Sequence, residues 1–240
     1  DDVSASEQSL SLSAMSAGNK YDVGIDANGL FLSGAWTGNS RARIKTAGVY
    51  HDSDHKTLLG SIYCTANGQS KWQPKPAPCN YGSANMLGLM NFYNRRPVHA
   101  VCQDTASTET DVGHWYYQNY GIRFAHNSNN NSIFFMDGIG DIISRARYAV
   151  SHSILASHNG TSAAATVGVA LDAEYPVNWW GLLPQGAVNN GQQGGQIYGE
   201  DMCIGAQGIH RWQAMEQTTD PVQVLFYGNN FMALTVDLEM

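Results

Sequence analysis

The chain has 240 residues, a formal net charge of -7 and only 14% Asp, Glu, Lys and Arg. Globular proteins usually contain about 25% charged residues, so this surface is unusually neutral. An acidic chain with few basic residues argues against nucleic acid and anionic membranes as partners. No apolar run approaches the roughly 18 residues of a transmembrane helix, so membrane insertion is not expected. A neutral polar surface favours contact with other surfaces, such as a second subunit or a glycan.

The N-terminal part is predicted to form short strands joined by turns. Residues 1–8 are predicted to be a flexible leader, with the folded domain beginning at residue 9. Asn28-Gly29 is a strong hairpin signal between apolar runs at 21–25 and 30–32. These signals indicate antiparallel strands with tight connections.

The stretch from Leu89 to Pro97 is central to the prediction. As a strand it would carry bulky side chains on both faces, which favours a place inside a sandwich over an exposed edge. Pro97 lacks a backbone N–H and is predicted to end the strand.

The rest of the chain continues the same rhythm of short apolar runs and turns. Asp141 to Ala149 could hold a short helix, and the Gly, Gln and Asn residues between Tyr175 and Gly208 make the pattern irregular. The sequence therefore predicts an all-β, antiparallel two-sheet sandwich. This sandwich is predicted to form one domain over residues 9–240, with inserted loops near 69–87 and 175–208.

The cysteines and the polar clusters do not identify a catalytic centre. Cys64, Cys79, Cys102 and Cys203 form no C-x-x-C pair and are expected to be mostly reduced core residues. His51-Asp52-Ser53-Asp54-His55 contains metal-ligand residue types, but a solvated loop is the favoured interpretation. We therefore expect no metal and no cofactor.

Glycoside cleavage requires two carboxylates held on rigid elements. The candidates are Glu200, Asp201, Glu216, Asp237 and Glu239, but their spacing does not show which of them face each other. The prediction is that the protein is not an enzyme.

Aromatic residues supply the candidate contact surface. Tyr175, Trp179 and Trp180 lie in the irregular segment, where their rings could stack on sugars or anchor a protein interface. The alternative is that the Trp side chains close the end of the sandwich. Tyr116 is a further candidate, because in a strand it would point away from Trp115 and Tyr117.

Several short pieces follow one another in a recognisable order along most of the chain. They are Tyr21-Asp22-Val23, Ala35-Trp36-Thr37 with Arg41 and Arg43, Leu59-Gly60-Ser61-Ile62 with Thr65, Asn91-Phe92-Tyr93-Asn94-Arg95-Arg96-Pro97, Trp115-x-Tyr117 with Arg123, Gly138, Val167-Gly168-Val169-Ala170-Leu171-Asp172, Glu216 and Phe226-Tyr227-Gly228. In this order they resemble a jelly-roll domain of tailed-bacteriophage tail-fibre and other virion structural proteins. The resemblance implies a jelly roll. The rhythm of the strands and the bulk on both faces of residues 89–93 predict about 8 to 10 main strands, with Phe92, Trp115, Val169, Trp212 and Phe226 largely buried.

The resemblance also implies a biological setting. It predicts a homotrimer on the particle surface, assembled in the host cytoplasm, with other virion proteins as partners. A host cell-surface glycan is the further candidate partner, which the neutral surface and the aromatic residues suggest. The expected function is structural and adhesive, in a tail fibre, tail tip or spike. The alternatives are a capsid decoration (head fibre) protein without receptor binding, and a glycan-degrading enzyme.

Overall fold

The computed structural model describes residues 8–74, 77–78, 85–103, 113–115, 122–124, 132–156, 165–172, 193–218 and 223–240. These residues contain 17 strands and no helix. The all-β prediction is therefore confirmed, although the chain is divided into more strands than expected. The strands in chain order are β1 (Lys20–Asp26), β2 (Gly29–Leu32), β3 (Ile44–Thr46), β4 (Val49–His51), β5 (Thr57–Tyr63), β6 (Ala77–Pro78), β7 (Asn85–Leu87), β8 (Leu89–Asn91), β9 (Pro97–Gln103), β10 (Gly113–Trp115), β11 (Ile122–Phe124), β12 (Ser132–Asp137), β13 (Ile143–Ala156), β14 (Ala165–Leu171), β15 (Gln193–Ile204), β16 (Gly208–Thr218) and β17 (Gln223–Glu239).

The strands form three sheets. Sheet I has the order β2-β1-β5-β4-β3, with β8 also paired to β5. Sheet II has the order β11-β16-β12-β7, with β14 paired to β16. Sheet III has the order β15-β13-β17-β9-β6, with β10 paired to β17. The β7–β12 and β6–β9 pairs are parallel, whereas the other pairs are antiparallel.

Sheets II and III share one hydrophobic core, an arrangement compatible with a β-sandwich. Residues of β13 alternate strictly, so that Ala146, Tyr148 and Val150 are buried while the residues between them face outward. Trp212 of β16 is buried against them, and its Nε1 donates a hydrogen bond to Ser144 Oγ of β13 at 2.9 Å. The two-residue period of the long strands thus creates the core and leaves one face of sheet III open.

Three of the five residues expected to be buried lie in this core. Phe92, Val169 and Trp212 are buried, as predicted. Trp115 and Phe226 belong to β10 and β17, but their side chains lie outside the described part of the chain.

The prediction for residues 89–97 is wrong in two respects. Strand β8 ends at Asn91, because the Asn91 side chain accepts hydrogen bonds from the N–H groups of Tyr93 and Asn94 and turns the chain. Pro97 begins β9 instead of ending a strand, a position that requires no donor from it. Leu89 is 37% and Tyr93 45% exposed, so only one face of this stretch is buried.

Two other segments differ from expectation. The possible helix at 141–149 is instead the start of β13, whose alternating Arg and apolar residues match a two-residue period. Within the segment expected to be irregular, residues 193–204 form β15. Gly199 lets this strand approach β14 closely, since a Cβ there would lie 2.6 Å from the Val167 carbonyl oxygen.

The cysteine prediction is partly wrong. Cys64 and Cys203 are free, as expected. Cys102, which is fully buried in β9, is disulfide-bonded, and its partner lies outside the described residues.

A buried cluster of polar and aromatic side chains joins sheet I to the sandwich. We call it the Arg43 cluster, and its members are Asp22, Trp36, Arg43, Ser61 and Phe92. One guanidinium nitrogen of Arg43 donates to Asp22 Oδ1 at 2.6 Å and to Ser61 Oγ at 3.2 Å. The guanidinium carbon lies 4.6 Å from the centre of the Trp36 ring and 5.3 Å from that of Phe92.

The loop after β12 packs directly against this cluster. A Cβ at Gly138 would lie 2.5 Å from both the Phe92 ring and Ser61 Oγ, so only glycine fits there. The Asp22 and Arg43 side chains are only 0% and 3% exposed. The cluster is therefore sealed from solvent on the side of sheet II.

We expect Arg43→Met to lower the free energy of unfolding by about 3–5 kcal/mol, because it removes the cation that is hydrogen-bonded to the buried Asp22 carboxylate. The remaining cation, Arg41, lies 3.6 Å from the other carboxylate oxygen. Urea denaturation measures this change. Lys56→Met is the control, since Lys56 pairs with Asp26 at 4.0 Å on the surface and should cost no more than about 1 kcal/mol. Adding Asp22→Leu to Arg43→Met should recover part of the loss. If Arg43→Met and Lys56→Met lower the free energy of unfolding equally, Asp22 and Arg43 do not form a buried, tightly coupled pair.

Candidate functional site

The aromatic residues predicted to form a contact surface lie outside the described residues. These are Tyr116, Tyr175, Trp179 and Trp180. Their role in binding stays a prediction. The described residues contain a different concave surface, on the outer face of sheet III.

This surface, which we call the outer groove, has a floor of small side chains. Ala149 of β13 and Ala233 of β17 are directly paired, and Thr235 is paired with Arg147 one step further along. All three point away from the core, because the buried residues of each strand alternate with them. Small outward residues on adjacent strands leave a depression between the longer side chains around them.

Charged side chains form the walls of the outer groove, and most of them are already paired. Arg145 donates to Glu200 at 2.9 Å on one side. His99 Nδ1 lies 2.6 Å from Asp237 Oδ1 on the other side.

At one end of the groove Arg95 binds Asp141, with an N–O distance of 2.8 Å. Arg95 therefore pairs with an acidic side chain of its own fold. Next to Glu200, the Arg147 guanidinium lies 4.5 Å from the centre of the Tyr198 ring.

Cross-strand register explains why these groups meet. Met202, Arg145, Asp237 and His99 form one row across β15, β13, β17 and β9. The groove comprises two adjoining cavities of about 520 and 380 Å³, both lined by His99, Arg145 and Asp237. The larger cavity also has apolar lining from Pro97, Val98 and Ile143.

The structure brings some of the candidate carboxylates together. Asp237 and Glu239, two residues apart on β17, line the same cavity, and Glu200 lines the adjoining cavity with Asp237. Asp201 alternates with Glu200 and is hydrogen-bonded to the N–H of Met202. The side chain of Glu216 lies outside the described part of the chain.

The His51–His55 segment forms the turn between β4 and β5. Asp52 Oδ1 accepts hydrogen bonds from the N–H groups of Asp54 and Lys56, so this carboxylate shapes the turn. Among the residues that the structure describes, no group of three or more His, Cys, Asp or Glu side chains is arranged to hold a metal ion.

A second polar cluster surrounds His210 of β16. Its Nδ1 lies 2.5 Å from Asp172 Oδ2, and its Nε2 lies 2.5 Å from the carbonyl oxygen of Ala206. Burial lowers the pKa of His210, but the hydrogen bonds to Asp172 and Ala206 and the negative charges of Asp172 and Asp137 outweigh it. The net effect is a raised pKa. Two acceptors, one on each ring nitrogen, suit an imidazolium.

Sequence reasoning missed the outer groove, although a signal for it exists. Outward residues at 145 and 147, and again at 237 and 239, are charged at a two-residue interval that is typical of one exposed strand face. The small floor residues Ala149 and Ala233 gave no signal, because alanine is equally common in cores.

Comparisons with known proteins add no relatives: no protein-family model, curated protein sequence or solved structure matches the chain. Within the described ranges, no helix has the length and hydrophobicity needed to cross a membrane.

The raised pKa of His210 predicts a pH-dependent free energy of unfolding. The imidazolium contribution is fully present below about pH 6.5, the pKa of an unfolded histidine. It is lost as the pH rises through the higher pKa of the folded protein. Urea denaturation at stepped pH should therefore show the free energy of unfolding falling as the pH rises from about 6.5 through the raised pKa of His210.

Two variants isolate this effect. His210→Gln should abolish the decrease in the free energy of unfolding with pH, because it removes the titrating ring. Asp172→Asn should make the decrease smaller, because it removes the negative charge that favours the imidazolium. If wild type and His210→Gln have the same pH slope, the dependence has another origin.

Proposed function

We propose that the chain is a structural protein on the surface of a tailed-phage particle, in a tail fibre, tail tip or spike, where it mediates attachment to the host. In this proposal the sandwich is a jelly roll and the protein assembles as a homotrimer. The resemblance of the sequence to virion structural domains motivates both features.

The observation that carries the proposal is the composition of the Arg43 cluster. Asp22, Trp36, Arg43, Ser61 and Phe92 come from four of the separate pieces that carry the resemblance, and Gly138, a fifth piece, packs on them. Chance matches scattered along a chain have no reason to meet in space. These pieces meet in one buried cluster, which supports the interpretation that the resemblance reflects a shared structural core.

Two further features support a place on the particle surface. The disulfide at Cys102 suits a protein that functions outside the reducing cytosol, since disulfides persist on virion and cell surfaces. The low share of charged residues suits a protein packed against subunits and a polar ligand. The aromatic segment with Tyr175, Trp179 and Trp180 remains a candidate receptor contact, and three copies in a trimer would strengthen weak binding through avidity.

Glycan degradation is a second candidate, favoured by one observation. Asp237 and Glu239 line the same cavity on a rigid strand, and paired carboxylates are what glycoside hydrolysis requires. Release of reducing ends from host polysaccharide would identify an enzyme. Under the attachment proposal, the polysaccharide is bound and recovered intact.

Antibody fragments raised against the purified chain test the attachment proposal on intact phage particles. We expect electron microscopy to show the fragments on the tail fibre, tail tip or spike, and we expect the same fragments to reduce adsorption to host cells. Fragments on the capsid that leave adsorption unchanged would indicate a decoration protein instead. Intact particles that bind no fragment would contradict a virion location.

A further inference from the structure

We propose that the outer groove is a binding site for a neutral saccharide. The site deepens the attachment function, and its biological role rests on that function. Its lining consists of described residues of sheet III and of the adjoining residues Arg95, Asp141 and Ile142.

The shape of the outer groove suits a chain of sugar rings. Along the strands, the floor at Ala149 and Ala233 is followed by the row of Arg147 and Thr235 and then by the row of Arg145, Asp237 and His99, and all of these residues line one cavity. From Ile143 to Ala149 the groove follows β13 for about 20 Å, at roughly 3.3 Å per residue. An open trough of this length admits a linear oligosaccharide lying along the strands, whereas a small rounded ligand would fill only part of it.

The charges favour a neutral ligand. Three arginines line the two cavities, namely Arg95, Arg145 and Arg147, and four carboxylates accompany them, namely Asp141, Glu200, Asp237 and Glu239. A polyanion would meet more carboxylates than guanidiniums. A cationic ligand would meet Arg145 and Arg147 on one wall and Arg95 at one end.

The Arg145–Glu200 and His99–Asp237 pairs still have hydrogen-bonding atoms that can bind sugar hydroxyls. Arg145 uses one guanidinium nitrogen for Glu200, and Asp237 uses one oxygen for His99. Guanidinium has five N–H donors and a carboxylate accepts at two oxygens, so each pair retains unused donors and acceptors. The register places Arg145 directly opposite Asp237. A diol lying between them would accept from one side chain and donate to the other.

The larger cavity adds apolar contacts. Ile143 is exposed, and the outward-facing Pro97 lines the same cavity. Sugar rings have C–H faces that pack on such side chains while their hydroxyls reach polar groups. This mixture of one apolar wall and convergent polar groups is typical of small-molecule sites.

The test uses the full chain and an array of purified bacterial O-polysaccharides, one set neutral and one set containing uronic or sialic acids. We expect binding to at least one neutral polysaccharide, changed less than twofold when NaCl is raised from low to high concentration. Ala233→Phe should weaken this binding at least tenfold by filling the floor. Asp237→Asn, which keeps the shape, should also weaken it by removing the charged acceptor.

Ala27→Phe is the matched control, because it adds the same ring at an exposed turn of sheet I and should bind like wild type. Sedimentation and melting temperature report whether each variant keeps its assembly and fold. Binding only to acidic polysaccharides, binding to none of the array, or unchanged binding by both groove variants would overturn the proposal. Dissociation of an oligomer by Ala233→Phe would also overturn it, by making the groove a subunit interface.

These outcomes are independent of the particle-labelling experiment. A protein that binds neutral polysaccharide through the groove but lies on no phage particle would keep the site and lose the attachment role. If the fragments label the particle but the groove binds no sugar, the place on the virion would be kept and the saccharide site would be lost.

Discussion

The buried ion pair between Asp22 and Arg43 is the contact on which the arrangement of sheet I depends. Removing Asp22 would leave the Arg43 guanidinium in a dry environment, and removing Arg43 would leave the carboxylate with Arg41 alone, 3.6 Å away. Either change should cost several kcal/mol. Burial does lower the pKa of Arg43, and the neighbouring Asp22 carboxylate opposes that shift. The pair is held between the Trp36 and Phe92 rings, and Phe92 in turn contacts the loop at Gly138. The ion pair therefore orders the part of sheet I that the loop leaving sheet II contacts, while Leu58 and Met90 of sheet I pack into the shared core.

The two-residue period of the long strands explains how one sheet serves two purposes. On β17, Leu234 and Val236 face the shared core, while Ala233, Thr235 and Asp237 face the outer groove. The buried side chains can vary little, because changes of side-chain volume in a close-packed core are destabilising. The outward set carries no such constraint, so its chemistry is available for a ligand without loss of the scaffold. A rigid floor also means that the groove is preformed.

Sequence reasoning predicted what local patterns encode and missed what requires long-range pairing. Asn28-Gly29 correctly indicated a hairpin, since β1 and β2 pair with Asp26 opposite Gly29. Pro97 was misread because its effect depends on whether it lies inside a strand or begins one, and only the pairing with Glu239 decides this. The outer groove needs the register of four strands to bring His99, Asp237 and Arg145 into one row. No spacing within a single strand contains that information.

A crystal structure of the full chain with an oligosaccharide cut from a bound neutral polysaccharide tests most directly whether the open face of sheet III is a preformed saccharide site. We expect a sugar ring lying over Ala149 and Ala233, with its hydroxyls within hydrogen-bond distance of Arg145 and Asp237, and strands in the same positions as in the free protein. A sugar bound elsewhere on the chain, with the groove empty or covered by a second copy, would contradict it.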